Sequence, residues 1–440
     1  MSCVTAELEA SARLETVQGA EQAERMFQVA RAGLIGLVLA APLTFGAVEP
    51  WAWGAMVILT GGILLLWAAG CVRAGVMRCL WSHLYVPAAA LLALAAAQLW
   101  LGLSLDRIAT RESLIKLLMY IAIFFLGQQL FAGAPRAWRI SGLAVAVYAF
   151  AIAVFAIIQF FASPGTLYGV VKPRWGGWIF GPYVSHNNYA GLMEMLIPIS
   201  VAYTLGMRPR HPAKVFLMFA SLICYLSVLL SGSRGGTIAL VVEILIFAAA
   251  AGIGSRAGRR QIVLLAGAGL AALAGVFFSC LDPGQIWQRW EQTAHTPELE
   301  LQFRNRISAD SLRMFRDNLE SGVGLGAFEV AYPRYQTYVT DRAIDYAHND
   351  YAQLFAETGV LGCLLALISI VLFAALAFRG LRSRLEQSAG WLQLGAAVGV
   401  CGILVHSFSD FNLHIPANTA WFSFCCALAS LPPRPRVQGA

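Results

Sequence analysis

The chain alternates long apolar runs with short polar breaks, and the spacing of the runs predicts its architecture. A bilayer core is crossed by about 20 mostly apolar residues in helical form. Runs of that kind lie near residues 32–48, 52–70, 84–101, 113–131, 140–162, 188–206, 215–231, 236–253, 262–280, 355–378, 391–409 and 417–431. The pattern predicts an all-α, polytopic membrane protein with about 12 transmembrane helices. One long polar stretch, 281–352, interrupts the series. Within it, FRNRISADSLRMFRDNL (303–319) spaces Phe303, Ile307, Leu312 and Phe315 as on a helix, and GVGLGAF (322–328) then breaks that helix. The expected order is a cytosolic tail over 1–31, helices over 32–280, a partly helical outward loop over 281–352, helices over 353–431 and a short cytosolic tail over 432–440.

Composition agrees with the pattern. Of 440 residues, 58% are hydrophobic and 12% charged, against about 25% charged in an average soluble protein. The net charge of +7 reports topology rather than nucleic-acid binding, because Lys and Arg fall in short runs between apolar segments. Arg73, Arg78, Arg136, Arg139, Arg208, Arg210, Lys214, Arg256, Arg259, Arg260, Arg379, Arg382, Arg384, Arg434 and Arg436 join the tail arginines on one side. The short connections on the other side hold Arg107, Arg111, Lys116, Lys172, Arg174 and Arg234. That bias is about threefold and places both termini inside. The nine cysteines form no CxxC pair and no Cys/His metal spacing. Cys280 is the only one at the long loop, so neither a disulfide framework nor structural zinc is expected. The opening residues are acidic (Glu7, Glu9, Glu15, Glu21, Glu24), unlike the basic start of a signal peptide.

The polar groups that could carry chemistry gather at the outward ends of the runs. His348, Asn349 and Asp350 sit where the long loop meets an apolar run. Imidazole titrates nearest neutrality, so His348 is a candidate general base; alternatively Asn349 or Asp350 caps the following helix and His348 is incidental. Arg234, in SGSRGG (231–236), lies alone between apolar segments and either meets an anionic partner or snorkels to the interface. The glycines around it would let a bulky headgroup approach the backbone. Asn187 and Asn188 open one run and either bind sugar or phosphate or cap a helix, and Glu194 two turns deeper needs a partner. In HSFSDFNLHIPAN (406–418), the i,i+4 spacing of His406 and Asp410 allows them to pair. The loop glycines read as a tight turn, since no βαβ unit surrounds them. Trp287 and Trp290 either stack on sugar rings or belong to an interfacial belt. No Walker, DxD, HExxH or GxSxG motif occurs, so neither ATP, a metal nor a serine nucleophile is expected, and no cofactor.

Taken in order, GPYVSHNNYAG, LLSGSRGG, FRNRISADSLRMF with GVGLGAF, AHNDYAQLFAETGVLG and HSFSDFNLHIPAN resemble the O-antigen ligase and polymerase family of bacterial polysaccharide assembly. The resemblance covers about residues 180–415. Two departures are local. The family's Arg with Trp four residues later reads Arg304 and Ser308 here, with Arg306 a rival, and its Asp-His-Pro reads Asp317, Asn318, Leu319.

The resemblance implies an inner-membrane glycosyltransferase with a periplasmic loop and active site. It would move a glycan from undecaprenyl diphosphate to an acceptor hydroxyl, without metal and with inversion. The acceptor would be a glycan or lipid A–core, and membrane lipid surrounds the chain. His348 would act as the base, and Arg234 with Arg304 or Arg306 would hold the diphosphate. Asp350 would orient His348, and Asn187, Asn188, His406 and Asp410 would contribute to substrate binding. A flippase of lipid-linked glycans is the alternative, for which paired half-repeats and midplane polar groups would be expected.

Overall fold

The computed structural model describes residues 2–432 apart from 78, 164, 174–176, 209, 255–296, 341–342, 380, 382–384 and 386. The expected run at 262–280, Cys280, Trp287, Trp290 and the arginines at 78, 174, 256, 259, 260, 382, 384, 434 and 436 lie outside the described residues.

The described residues are helical, with two isolated bridges and no strand among them. In chain order the helices are α1 Ser2–Ala40, α2 Pro50–Arg73, α3 Tyr85–Trp100, α4 Arg107–Phe131, α5 Pro135–Ala162, α6 His186–Leu205, α7 Ala213–Ser231, α8 Arg234–Gly254, α9 Pro297–Asp317, α10 Asp350–Phe378, α11 Ser388–His406 and α12 Pro416–Ala429. Among the described residues seven stretches are long and apolar enough to cross a membrane: Gln18–Leu43, Pro50–Arg73, Arg107–Phe131, Pro135–Ala162, Ala213–Ser231, Asp350–Phe378 and Ala389–His406. This is a multi-pass membrane protein. The expected count of about 12 is not reached among the described residues. Helices α3 and α12 have 16 and 14 residues, and the polar opening of α6 lowers its apolarity. The acidic start is helical, and α1 runs through position 31 without a break.

α11 is the axle of the bundle. It packs against α6, α8 and α12, and 72% of its apolar window is buried. Small residues permit this. A Cβ at Gly395 would press on the Pro198 carbonyl of α6, and one at Gly399 would stand 2.9 Å from the Met195 Cα.

The segment 297–349 folds on top of α3 and α10. Its core is Ile307, Met314, Val323, Ala327, Phe328, Ala331, Tyr332 and Ala347. The buried stripe of α9 is Ile307, Asp310, Ser311 and Met314, rotated from the expected face, for Phe303 and Leu312 are exposed. Asp310 is tolerated inside because Tyr332 and Thr337 donate to its carboxylate and Arg313 pairs with it. The glycines after α9 form the expected tight turn. Gly322 has φ +69, and a Cβ there would collide with the backbone of Glu357 and Thr358. The turn is clamped at 2.8–3.1 Å: Val323 N donates to Ala356 O, Gly324 N to Glu357 O and Gly326 N to the Glu357 carboxylate. Gln98 of α3 reaches the same turn, donating to the carbonyls of Ser321 and Glu357 and accepting from Leu325 N. Where the turn meets α10, Gly359 leaves helical geometry at φ +65. Its neighbour Val360 then donates to the Leu319 carbonyl rather than into the helix.

Candidate active site

The site is assembled around the connection from α11 to α12, residues 407–415. Asn349 caps α10, its side chain accepting from Tyr351 N at 3.1 Å and Ala352 N at 3.0 Å. The capping alternative is therefore realised by Asn349, and it leaves His348 immediately outside the helix. His348 is held at φ +50, a left-handed conformation that costs a non-glycine residue about 1–3 kcal/mol and clusters at functional sites.

Asp350 is stitched to the connection rather than to His348. Its backbone N–H donates to the carbonyls of Ser407 and Asp410. Its carboxylate accepts from Ser407 Oγ at 2.8 Å and Leu413 N at 3.2 Å, and lies 2.8 Å from His414 Nδ1. This corrects the expectation that Asp350 orients His348. Burial pulls the His414 imidazole down, but the Asp350 carboxylate beside it outweighs burial and raises it above its ordinary value.

The carboxylate beside His348 is Asp410, which is 1% exposed. Asp410 Oδ1 lies 3.7 Å from His348 Nδ1, and Oδ2 lies 3.6 Å from Arg304 Nη1. Both are ion-pair separations, longer than hydrogen bonds. Phe411 N donates to Oδ1 at 2.8 Å, and the His348 ring stands edge-on to Phe411 at 4.9 Å. Burial would push the Asp410 carboxyl up, but His348 and the Arg304 guanidinium outweigh it and hold the group well below the usual carboxylate range. Arg304 also donates to the Ser409 carbonyl at 2.9 Å. Its rival Arg306 is exposed on the same helix and acts electrostatically on the Tyr338 phenol.

Arg234 reaches the same place from α8. It is exposed, at the first position of that helix, with no hydrogen bond or ion pair among the described residues. The next residue fixes its location: a Cβ on Gly235 would stand 2.5 Å from both His406 Cδ2 and Ser409 Oγ. Arg234, Arg304 and His348 thus border one connection, with partly exposed side chains over a buried carboxylate.

The other expected binding residues are buried beneath this surface. Asn187 and Asn188 are 6% and 5% exposed, and neither caps α6, whose N-cap Ser185 makes no side-chain cap bond. The Asn188 carbonyl accepts from Asn418 Nδ2 at 2.9 Å, which also donates to Asn412 Oδ1 at 3.2 Å. The expected pairing of His406 with Asp410 is not formed. α11 ends at His406, so Asp410 leaves the helical face, and the His406 ring turns to Glu194 at 2.7 Å. Sequence reasoning missed Ser409, Asn412, His414 and Asn418; their crowding within a dozen residues of Asp410 was the available signal. Among the described residues no group of His, Cys, Asp and Glu is arranged to hold a metal ion.

Residues 218–367, about a third of the chain, match the model of one protein family, described as O-antigen ligase. This segment is similar to the O-antigen ligase family. The match takes in Arg234, Arg304, His348 and Asp350, and it stops short of Asn187, Asn188, His406 and Asp410. The matched segment thus carries both arginines and the histidine, while the carboxylate that Arg304 and His348 share comes from outside it. No curated protein gives a significant match to the chain. This similarity supports glycan transfer of the ligase or polymerase type in general.

Proposed function

We propose that the protein transfers a glycan from undecaprenyl diphosphate to an acceptor hydroxyl at the periplasmic face of a bacterial inner membrane. The observation that carries this reading is the convergence of Arg304 and His348 on Asp410, with Arg234 on the adjoining turn. The leaving group is a diphosphate, and guanidinium forks bind phosphate oxygens in bidentate fashion. Arg234 and Arg304 hold that group and stabilise the charge that builds on it as the sugar–oxygen bond breaks. The electron pair of that bond passes to the diphosphate oxygen. The acceptor oxygen bonds to the anomeric carbon from the opposite face, which inverts the centre, and His348 takes its proton. Asp410 keeps the imidazole aimed and stabilises its protonated form. Two arginines supply the positive charge a metal would otherwise bring. Exposed Arg306 lies further along α9, where it would meet the glycan rather than the diphosphate. Asn188 braces the floor through Asn418. The acceptor is lipid A–core for a ligase and another lipid-linked glycan for a polymerase.

The test uses purified protein in nanodiscs with an undecaprenyl diphosphate-linked oligosaccharide and EDTA. Lipid A–core is added in one reaction and excess donor in another. Transfer to lipid A–core marks a ligase, and lengthening of the donor glycan marks a polymerase. Movement of intact donor across the bilayer without transfer would overturn the reading in favour of a flippase.

A further inference from the structure

Beneath the site lies an ionisable pair that the proposed chemistry does not use. Glu194 of α6 is 0% exposed and His406 of α11 is 1% exposed, with Oε1 and Nδ1 2.7 Å apart. Neither can touch a substrate from there. An intramembrane pair of this kind is costly and needs a role that repays it.

The pair is the seat of α8's first turn. The Cβ position of Gly235 lies 2.5 Å from His406 Cδ2 and 2.7 Å from His406 Nε2, and that of Gly236 lies 3.2 Å from Glu194 Oε1. Only glycine allows the turn to come down onto the two side chains. Arg234 immediately precedes these glycines, so its height above the bundle is set by the pair. On the other side, His406 is the last residue of α11, and three residues on, the Ser409 carbonyl holds Arg304 at 2.9 Å. The Ser409 backbone is itself tied back, its N–H donating to His406 O at 2.8 Å and its hydroxyl to the same carbonyl at 3.1 Å. One buried contact therefore governs the placement of both arginines.

We propose that Glu194 and His406 form a positioning pair that fixes the spacing between Arg234 and Arg304, and so tunes the site to a diphosphate in preference to a monophosphate. Two guanidinium groups at a set separation engage two phosphates together, whereas a single phosphate satisfies one of them. The inference rests on the reading of Arg234 and Arg304 as diphosphate ligands.

The experiment compares binding of farnesyl diphosphate and farnesyl monophosphate to the full-length protein in nanodiscs. The wild type is expected to prefer the diphosphate by roughly tenfold or more, about the worth of one additional charge-assisted contact. Glu194→Ala should bring that ratio close to one, and Glu194→Gln, which keeps a hydrogen bond to the imidazole, should restore most of it. Gly235→Ala leaves both buried side chains in place and pushes the turn off them. It should lower the ratio similarly, and it serves should Glu194→Ala fail to fold. In an Arg234→Ala background the Glu194 substitution should have little further effect. A merely structural pair would change thermal stability and leave the ratio intact. If Arg234→Ala weakens diphosphate binding while Glu194→Ala and Gly235→Ala keep the wild-type ratio, the positioning role is overturned and the diphosphate site stands. If Arg234→Ala itself leaves diphosphate binding unchanged, the reading of the site falls, and this inference with it.

Discussion

His414 with Asp350 and His348 with Asp410 are two histidine–carboxylate contacts on the same connection, and they are built differently. Asp350 lies 2.8 Å from its histidine and accepts two further hydrogen bonds, while its own N–H is taken by two carbonyls. Asp410 stands 3.7 Å from its histidine and 3.6 Å from an arginine, and its Oδ2 has no hydrogen bond. The first contact is saturated and holds the connection to the head of α10. The second leaves room for rearrangement when a substrate arrives, which is how catalytic contacts often look before substrate binds. Residue type does not distinguish a tether from the proposed catalytic pair here; the number of satisfied oxygens does.

The sharpest break between the two contacts is expected at the histidines. His348→Ala should lower transfer by about 10²–10⁴-fold, the usual worth of a general base, with insertion and thermal stability kept. Equal turnover of His348→Ala and wild type in the nanodisc assay would falsify the assignment. The carboxylates should divide next. Asp410→Asn should cut kcat by roughly 10²-fold with little loss of stability. Asp350→Ala should cost about 1–3 kcal/mol of stability by orphaning Ser407 and His414, read as a lower melting temperature. A smaller effect sharpens the choice between the arginines of α9. Arg304→Lys keeps the charge and loses the fork, so the donor KM should rise about tenfold, while Arg306→Ala should change it less than about threefold.

The smallest effect is in pH. The folded His414 imidazole lies above the unfolded value of about 6.5. Its stabilising contribution is therefore complete below about pH 6.5 and fades as pH rises through the folded value. Asp410 behaves oppositely: its carboxyl is held down, so its contribution is present above the unfolded value of about 3.9 and is lost as pH falls through its lower folded value. Melting temperature should thus decline as pH rises above about 6.5 in the wild type. His414→Gln should remove that decline; a decline that persists in the variant would assign it to another group.

Much of the helical framework was legible because lipid imposes one rule on apolar runs. The runs at 52–70, 113–131, 140–162, 215–231 and 355–378 each fall within a helix long and apolar enough to cross a membrane. The side-chain partners were less legible. The i,i+4 spacing of His406 and Asp410 presumed a helix that ends at His406, and nothing local announces that end. The buried face of α9 differs from the one that Phe303, Ile307, Leu312 and Phe315 predict, because apolar spacing alone does not reveal that Asp310 is buried. Its partners Tyr332 and Thr337 are more than twenty residues away. The nearness of His348 to Asp350 in the chain suggested a partnership that the cap at Asn349 undoes by turning the two side chains apart.

The order in which the site's parts occur along the chain bears on when the protein becomes active during its synthesis. Arg234, Arg304 and His348 emerge from the ribosome well before Asp410, and Asn418, which props the floor, comes last. A nascent chain halted before residue 406 would hold both arginines and the histidine without the carboxylate that meets Arg304 and His348. On the proposed function, the unfinished protein would be silent in the membrane until its closing hairpin has been laid in.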